Sequence, residues 1–448
     1  MSLRLLAVLF TFTFFGCDVL TGTDGGLFGE GDGGEAFDDG LPDVENDESD
    51  LDPGGNVDAG VDPDDGVDPD VGVDPDGDVD PDPDAGGEGE EACAPIAADA
   101  PRVIVLGHPF GAEAGIDGTE ISSLTLPPGG APEEDGMRLD IGVKPKRIAA
   151  TPSGRFAIVL SEDGTLTSVA TPSADALAIA DSVDLGGAGF RDIVVDASGT
   201  LVTAVRSDVG EDSGVYTLHL DCETGALMPV ADHYSLRLSA AIAPLPNDPT
   251  RAVLLGGQAA FEPFDEDDIR LLSLEDDHWV EVAKFDIYGD FVDAEGIAVS
   301  DDGLFSIIPN GSPFSDEGGQ IVVVSIDGDV VTEETRLTDL GDVRQARFAA
   351  DGHTALVTNL EGASVHVLAN QGGGYAITKT INGIGVADEM AVIRRGPSRG
   401  TVLVPSTSPA DGPQLVVLHA DAGDAEITSR VQFGEGFIRI VKSIAVAP

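Results

Sequence analysis

The stretch Arg147–Ala170, RIAATPSGRFAIVLSEDGTLTSVA, contains three short apolar strands and two tight turns. Arg147 to Ala150 begins the first strand, and Thr151-Pro-Ser-Gly154 supplies the residues that reverse a chain. Phe156 to Leu160 is a second strand, Glu162-Asp163-Gly164 turns again, and Thr165 to Ala170 is a third. Apolar residues at helical 3.6-residue spacing are missing here and in most of the chain beyond Cys93, which points to an all-β domain. The unit then recurs. Further copies open at Phe190, Ala240, Glu295 (Glu-Gly-Ile-Ala-Val-Ser-Asp-Asp-Gly303), Gln345 and Glu389, and a seventh start, Ser443-Ile-Ala-Val-Ala-Pro448, has room for only one strand.

The strands missing from that seventh unit stand at the front of the domain, as Arg102 to Leu106, Ile121 to Leu126 and Met137 to Val143. Pairing the last strand with these three closes a ring and removes the sheet edges that an open array would expose. Starts spaced 43 to 55 residues apart suit four-stranded blades. The expected fold is therefore a seven-bladed β-propeller over residues 93–448; the alternative is a β-sandwich, which also yields short strands and frequent turns. Thr151-Pro-Ser-Gly154 and Ser300-Asp-Asp-Gly303 resemble the turns of propellers of the YVTN-repeat and lactonase-like group. Asp293-Ala-Glu-Gly-Ile-Ala-Val299 is similar to a strand of phytase-like propellers, and this likeness implies a glutamate, Glu295, near a channel metal.

In a propeller, residues just ahead of the inner strands ring one mouth of the central channel. Here they are Arg147, Asp192, Glu295, Gln345, Glu389 and Lys442, with Arg191, Arg344 and Asp388 beside them. This mixed ring is the candidate ligand site; the alternative is that its charges simply pair with one another across the channel. His108 is the one histidine expected near that face. Trp279 reads as outer-strand packing. The chain contains no G-x-S-x-G, H-E-x-x-H, Walker loop or C-x-x-C, so no catalytic residue is assigned, and Ca²⁺, with Glu295 as candidate ligand, is the only cofactor considered.

The N-terminus reads as an export signal over residues 1–16. Arg4 precedes an apolar run, Leu5 to Phe15, that is too short to span a bilayer. Phe14-Phe15-Gly16-Cys17 resembles the lipobox of bacterial lipoproteins, which implies lipidation of Cys17 and a cell-envelope location, the outer membrane, with the domain periplasmic or surface-exposed. Residues 17–92 form an acidic linker: 28 Asp and Glu with no Lys or Arg, including the repeats VDPDDG, VDPDVG, VDPDGD and VDPDPD from Val61, Val67, Val73 and Val79. Such a segment lacks the apolar surface to offset chain entropy and is expected to be disordered.

The whole chain carries a net charge of −59, which argues against nucleic-acid partners. With Cys17 lipidated, Cys93 and Cys222 are left as a candidate disulfide in an oxidising compartment. These features favour a monomeric, lipid-anchored, non-catalytic module that presents its disc to a protein, glycan or small molecule. The alternative is a lactonase-like or phosphoesterase propeller that uses channel carboxylates.

Overall fold

A computed structural model describes residues 94–446, except 98, 111–116, 172–175, 209–211, 257–268, 287–295, 312–318, 373, 409–411 and 433–442. All of them belong to the compact unit Pro81–Pro448. The export signal, Cys17, the acidic linker, Cys93, Glu295 and Lys442 lie outside the described residues.

The described strands form seven antiparallel sheets, and the domain is an all-β, seven-bladed propeller. Blade 1 runs outward through Pro145–Ala150, Phe156–Ser161, Thr165–Ala170 and Ala178–Asp184. Blade 2 opens with Phe190–Val195, blade 3 with Ala241–Leu245 and blade 4 with Ala298–Val299. Blades 5 and 6 open with Val343–Phe348 and Ala391–Val392. Each continues through three more strands; in blade 2 the outermost position is split between Leu227–Pro229 and Tyr234–Ser235, both paired with Gly214–Leu220.

Blade 7 joins the two ends of the domain, as the sequence predicts. Ser443–Val446 is its inner strand, and Arg102–Phe110, Asp117–Leu126 and Glu133–Asp140 complete it outward. Its register pairs Ile104 with Val446, Leu106 with Ile444 and Gly107 with Ser443. Gly107 is required there because a Cβ would lie 2.2 Å from the Ser443 hydroxyl.

The core is divided among the seven gaps between neighbouring blades. Phe156, Ile158 and Leu160 of blade 1 pack against Phe190, Ile193 and Val202 of blade 2, and comparable clusters fill the other six gaps. Second strands such as Phe156–Ser161 are therefore buried on both faces, whereas the inner strands Pro145–Ala150 and Phe190–Val195 are buried only in part. Outer strands alternate: Glu133–Asp140 has the burial order of a strand with one face in solvent. Trp279 packs on the outer strand of blade 3 and is 5% exposed, as expected. Gly154, Gly199, Gly303 and Gly352 all have φ between 67° and 78°, which explains why the turn after each of these inner strands ends in glycine. Cys222 is buried and disulfide-bonded; Cys93, the partner expected for it, is outside the described residues.

Candidate functional site

The starts of the inner strands are locally irregular, and the irregularity sets the direction of the polar side chains. β-Bulges fall between Pro145 and Arg147, between Phe190 and Asp192, and between Val343 and Ala346, next to Gln345. A bulge adds a residue on one strand and re-aims the side chains beside it. In blades 1, 2 and 5 the residue so placed belongs to the ring expected from sequence.

Four ring members are described, and the structure brings them together. Arg147 Nη1 lies 3.2 Å from Glu389 Oε1, in a pair whose side chains are 12% and 5% exposed. Glu389 Oε2 accepts the Ile444 N–H at 3.0 Å. Asp192 makes the same kind of bond one blade onward: its Oδ2 accepts the Ile242 N–H at 3.1 Å and its Oδ1 the Ile193 N–H at 2.9 Å. Both carboxylates thus tie the start of the next blade's inner strand to their own. Gln345 packs against Gly296, where a Cβ would sit 2.4 Å from its Oε1.

Arg347 also belongs to this group, although it is absent from the ring read from sequence. Its Nη1 donates to Gln345 Oε1 at 3.3 Å and to the Ala346 carbonyl at 2.9 Å. The signal for it is the two-residue period of a strand, which puts Arg347 on the same side as Gln345. Of the flanking residues, Arg191 is exposed and Arg344 turns aside to Asp342, with Nη2 3.2 Å from Oδ2. His108 is a correction: it is 2% exposed and bonded to Ser122 at 2.6 Å inside blade 7, because its strand continues to Phe110 and draws it into the sheet.

A cavity of about 660 Å³ runs along the channel. Asp192, Gln345 and Arg347 line it at this mouth, whereas Arg147 and Glu389 stand behind them. The volume lies within the range of small-molecule sites. Burial raises the pKa of Asp192, and Arg147, Arg347 and two backbone N–H groups only partly offset it. Glu389 is raised for the same reason, with Asp192 adding like-charge repulsion. Among the described residues no group of three His, Cys, Asp or Glu could hold a metal ion. The described channel carboxylates face arginines and backbone N–H groups, a poor setting for Ca²⁺. Glu295, the candidate ligand, lies outside the described residues.

No family model matches the chain, and no curated protein is similar to it. Its likeness to solved structures is extensive. The periplasmic gluconolactonase PpgL of Pseudomonas aeruginosa superposes with a TM-score of 0.59 at 15% identity, over 78% of this chain and 99% of that one. A putative 6-phosphogluconolactonase from Bacteroides fragilis gives 0.57 at 12% identity, over 79% and 100%. A protein from Lactobacillus plantarum gives 0.58 at 14%, over 78% and 99%. The shared property is the propeller fold.

Proposed function

We propose that the chain is a lactonase-like hydrolase whose active site is the channel mouth at Asp192 and Arg347. What carries this is a half-buried carboxylate of raised pKa, Asp192, in the field of Arg147 and Arg347, which with Arg347 lines a cavity large enough for a small lactone. Asp192, when ionised, takes a proton from a water molecule as its oxygen attacks the lactone carbonyl. Arg347 stabilises the negative charge that develops on the carbonyl oxygen. The ring C–O bond then breaks, and Asp192 returns the proton to the departing alkoxide, leaving a hydroxy acid. Glu389 and Arg147 position this pair from behind.

The fold likeness to proteins named for lactone hydrolysis supports the same reading. A non-catalytic interaction module, favoured by the sequence alone, needs only the disc and makes no use of the cavity lined by Asp192 and Arg347. Export through residues 1–16 and lipidation of Cys17 would hold this activity at the cell envelope. Intact mass of the mature protein tests the anchor, since an unmodified Cys17 removes it.

Turnover is tested by proton release from a panel of aldonolactones with the purified protein. Asp192→Asn should lower kcat/KM by about 10²- to 10⁴-fold and Arg347→Gln by about 10²- to 10³-fold. Equal rates in wild type and both variants would sink the proposal.

A further inference from the structure

The cavity runs from the near mouth, at the starts of the inner strands, to a far mouth at the turns that end them. Asp192, Gln345 and Arg347 line it at the near mouth, and Asp301, Arg394 and Arg395 line it at the far one, the two arginines on the blade 6 turn. Every other described residue along its wall is glycine or carries an apolar side chain. Polar side chains therefore mark the two ends, and the stretch between them is aliphatic.

The inner strands keep a common level around this stretch. In five blades the closing turn opens with the same backbone bond: the N–H groups of Thr151, Asp196, Ser300, Ala349 and Ile393 each donate at 2.7–3.0 Å to a carbonyl of the second strand. Two residues before that N–H stand Ala149, Val194, Ala298, Arg347 and Ala391, all of which line the cavity. The two-residue period of a strand puts each of them beneath position 147, 192, 296, 345 or 389, on the side toward the far mouth. Four of the five are Ala or Val. Arg347 alone is long, and its guanidinium is drawn to Gln345 Oε1 and to the Ala346 carbonyl. The residue after each of the five is Ala, Val or Phe, and it too lines the cavity. Short side chains thus leave the lumen open beneath Asp192, and Ala149 and Val194 are half-buried, so part of their apolar surface faces it. The inner-strand N–H groups of Ile242 and Ile444 are taken up by Asp192 and Glu389, which makes the wall less polar still.

We propose that this lumen is a specificity pocket for an alkyl chain: the preferred substrate is a lactone whose ring lies at Asp192 and Arg347 and whose alkyl substituent descends past Ala149 and Val194. The proposal rests on the hydrolytic reading of the near mouth. A wall of methyl and isopropyl groups rewards each methylene buried against it. It offers a hydroxyl group no side-chain partner, so a polyhydroxylated substituent in the same place would give up its bonds to water without replacement. A mostly apolar lining with a few convergent polar groups at one end is also the usual make-up of a small-molecule site. Aldonolactones react at the mouth without this gain.

Binding and turnover are measured separately. Three γ-lactams, with hydrogen, propyl or hexyl on the ring carbon next to nitrogen, are titrated calorimetrically into the full-length protein; they mimic γ-lactones but resist hydrolysis. Affinity should rise about two- to fourfold per added methylene, and kcat/KM for the matching γ-lactones, read by proton release, should rise in parallel. Val194→Asp, which puts a charge in the lumen, should flatten that dependence. Ala149→Leu, which fills the lumen, should remove the gain from propyl to hexyl. Urea midpoints check that the variants are folded, and where one is not, the other decides. Affinity that fails to rise with chain length in the wild type, or a rise that survives unchanged in a folded variant, overturns the proposal. Binding that depends on chain length without turnover of any lactone would uphold the pocket and overturn the hydrolytic reading, so the two failures are distinguishable.

Discussion

The two mouths of the channel are built on the same seven strands, yet they handle charge in opposite ways. At the near mouth, Arg147 faces Glu389, and Asp192 and Glu389 both hold backbone N–H groups of the next blade. At the far mouth, Arg394 pairs with Asp301, and Arg395 stands exposed on the blade 6 turn. The near mouth is thus half-buried and part of what joins neighbouring blades, while the charges of the far mouth sit on surface turns. Charges that join blades are costly to remove and are perturbed in pKa; charges on a turn are cheap to change and open to a ligand.

Stability separates the two most strongly. Glu389→Ala takes away the partner of buried Arg147 and the acceptor of the Ile444 N–H, and breaking a buried pair costs about 3–5 kcal/mol. Urea denaturation should show a loss of that size, with a smaller one in Glu389→Gln, which keeps an acceptor. A loss near zero would mean that the near mouth is as dispensable as a surface turn.

The pH dependence of stability has a definite sign. Burial raises Asp192 and Glu389 in the folded state, so the native protein holds their protons to higher pH than the unfolded chain does. Their contribution is therefore complete below the ordinary carboxylate range, about pH 4, and is lost as pH rises through the raised values. Each group contributes a slope of at most about 1.4 kcal/mol per pH unit in that window. Relative to wild type, the double variant Asp192→Asn/Glu389→Gln should show a flatter profile there, as read by thermal unfolding from about pH 4 to 8. Parallel profiles would contradict the burial of these groups.

A smaller effect is expected at Gly296. Its substitution by Ala crowds Gln345, the hydrogen-bond partner of Arg347, and overpacking of this kind costs about 1–3 kcal/mol. Turnover should fall with it through displacement of Arg347. Arg395→Gln should change stability by less than about 0.5 kcal/mol, as an exposed substitution does. A large loss of stability in that variant would show that the far turn is structural after all.

Much of this architecture can be read from the sequence because it is periodic. The Gly-ending turns at Gly154 and Gly303 mark the passage from inner to second strand, and Ser443–Val446 lacks the neighbours that Arg102–Phe110 supplies. The ring is legible in part, since Arg147, Asp192, Gln345 and Glu389 occupy one repeat position. Arg347 escapes that pattern because it stands two places beyond Gln345, the ring position of its inner strand. The bond from Asp192 to Ile242 is not legible at all: it depends on a bulge and on a residue 50 positions away, which no local pattern encodes. The far-mouth arginines form no motif, and only the fold shows that Arg102 lies beneath the turn carrying Arg395.

The pH dependence of kcat/KM for aldonolactone hydrolysis bears most directly on the near mouth as a catalytic centre. If Asp192 is the base, the rate should rise with pH through a single ionisation above the usual carboxylate range, and Asp192→Asn should lose both the limb and most of the rate. A profile in Asp192→Asn that matches the wild type, in height and in midpoint, would contradict it.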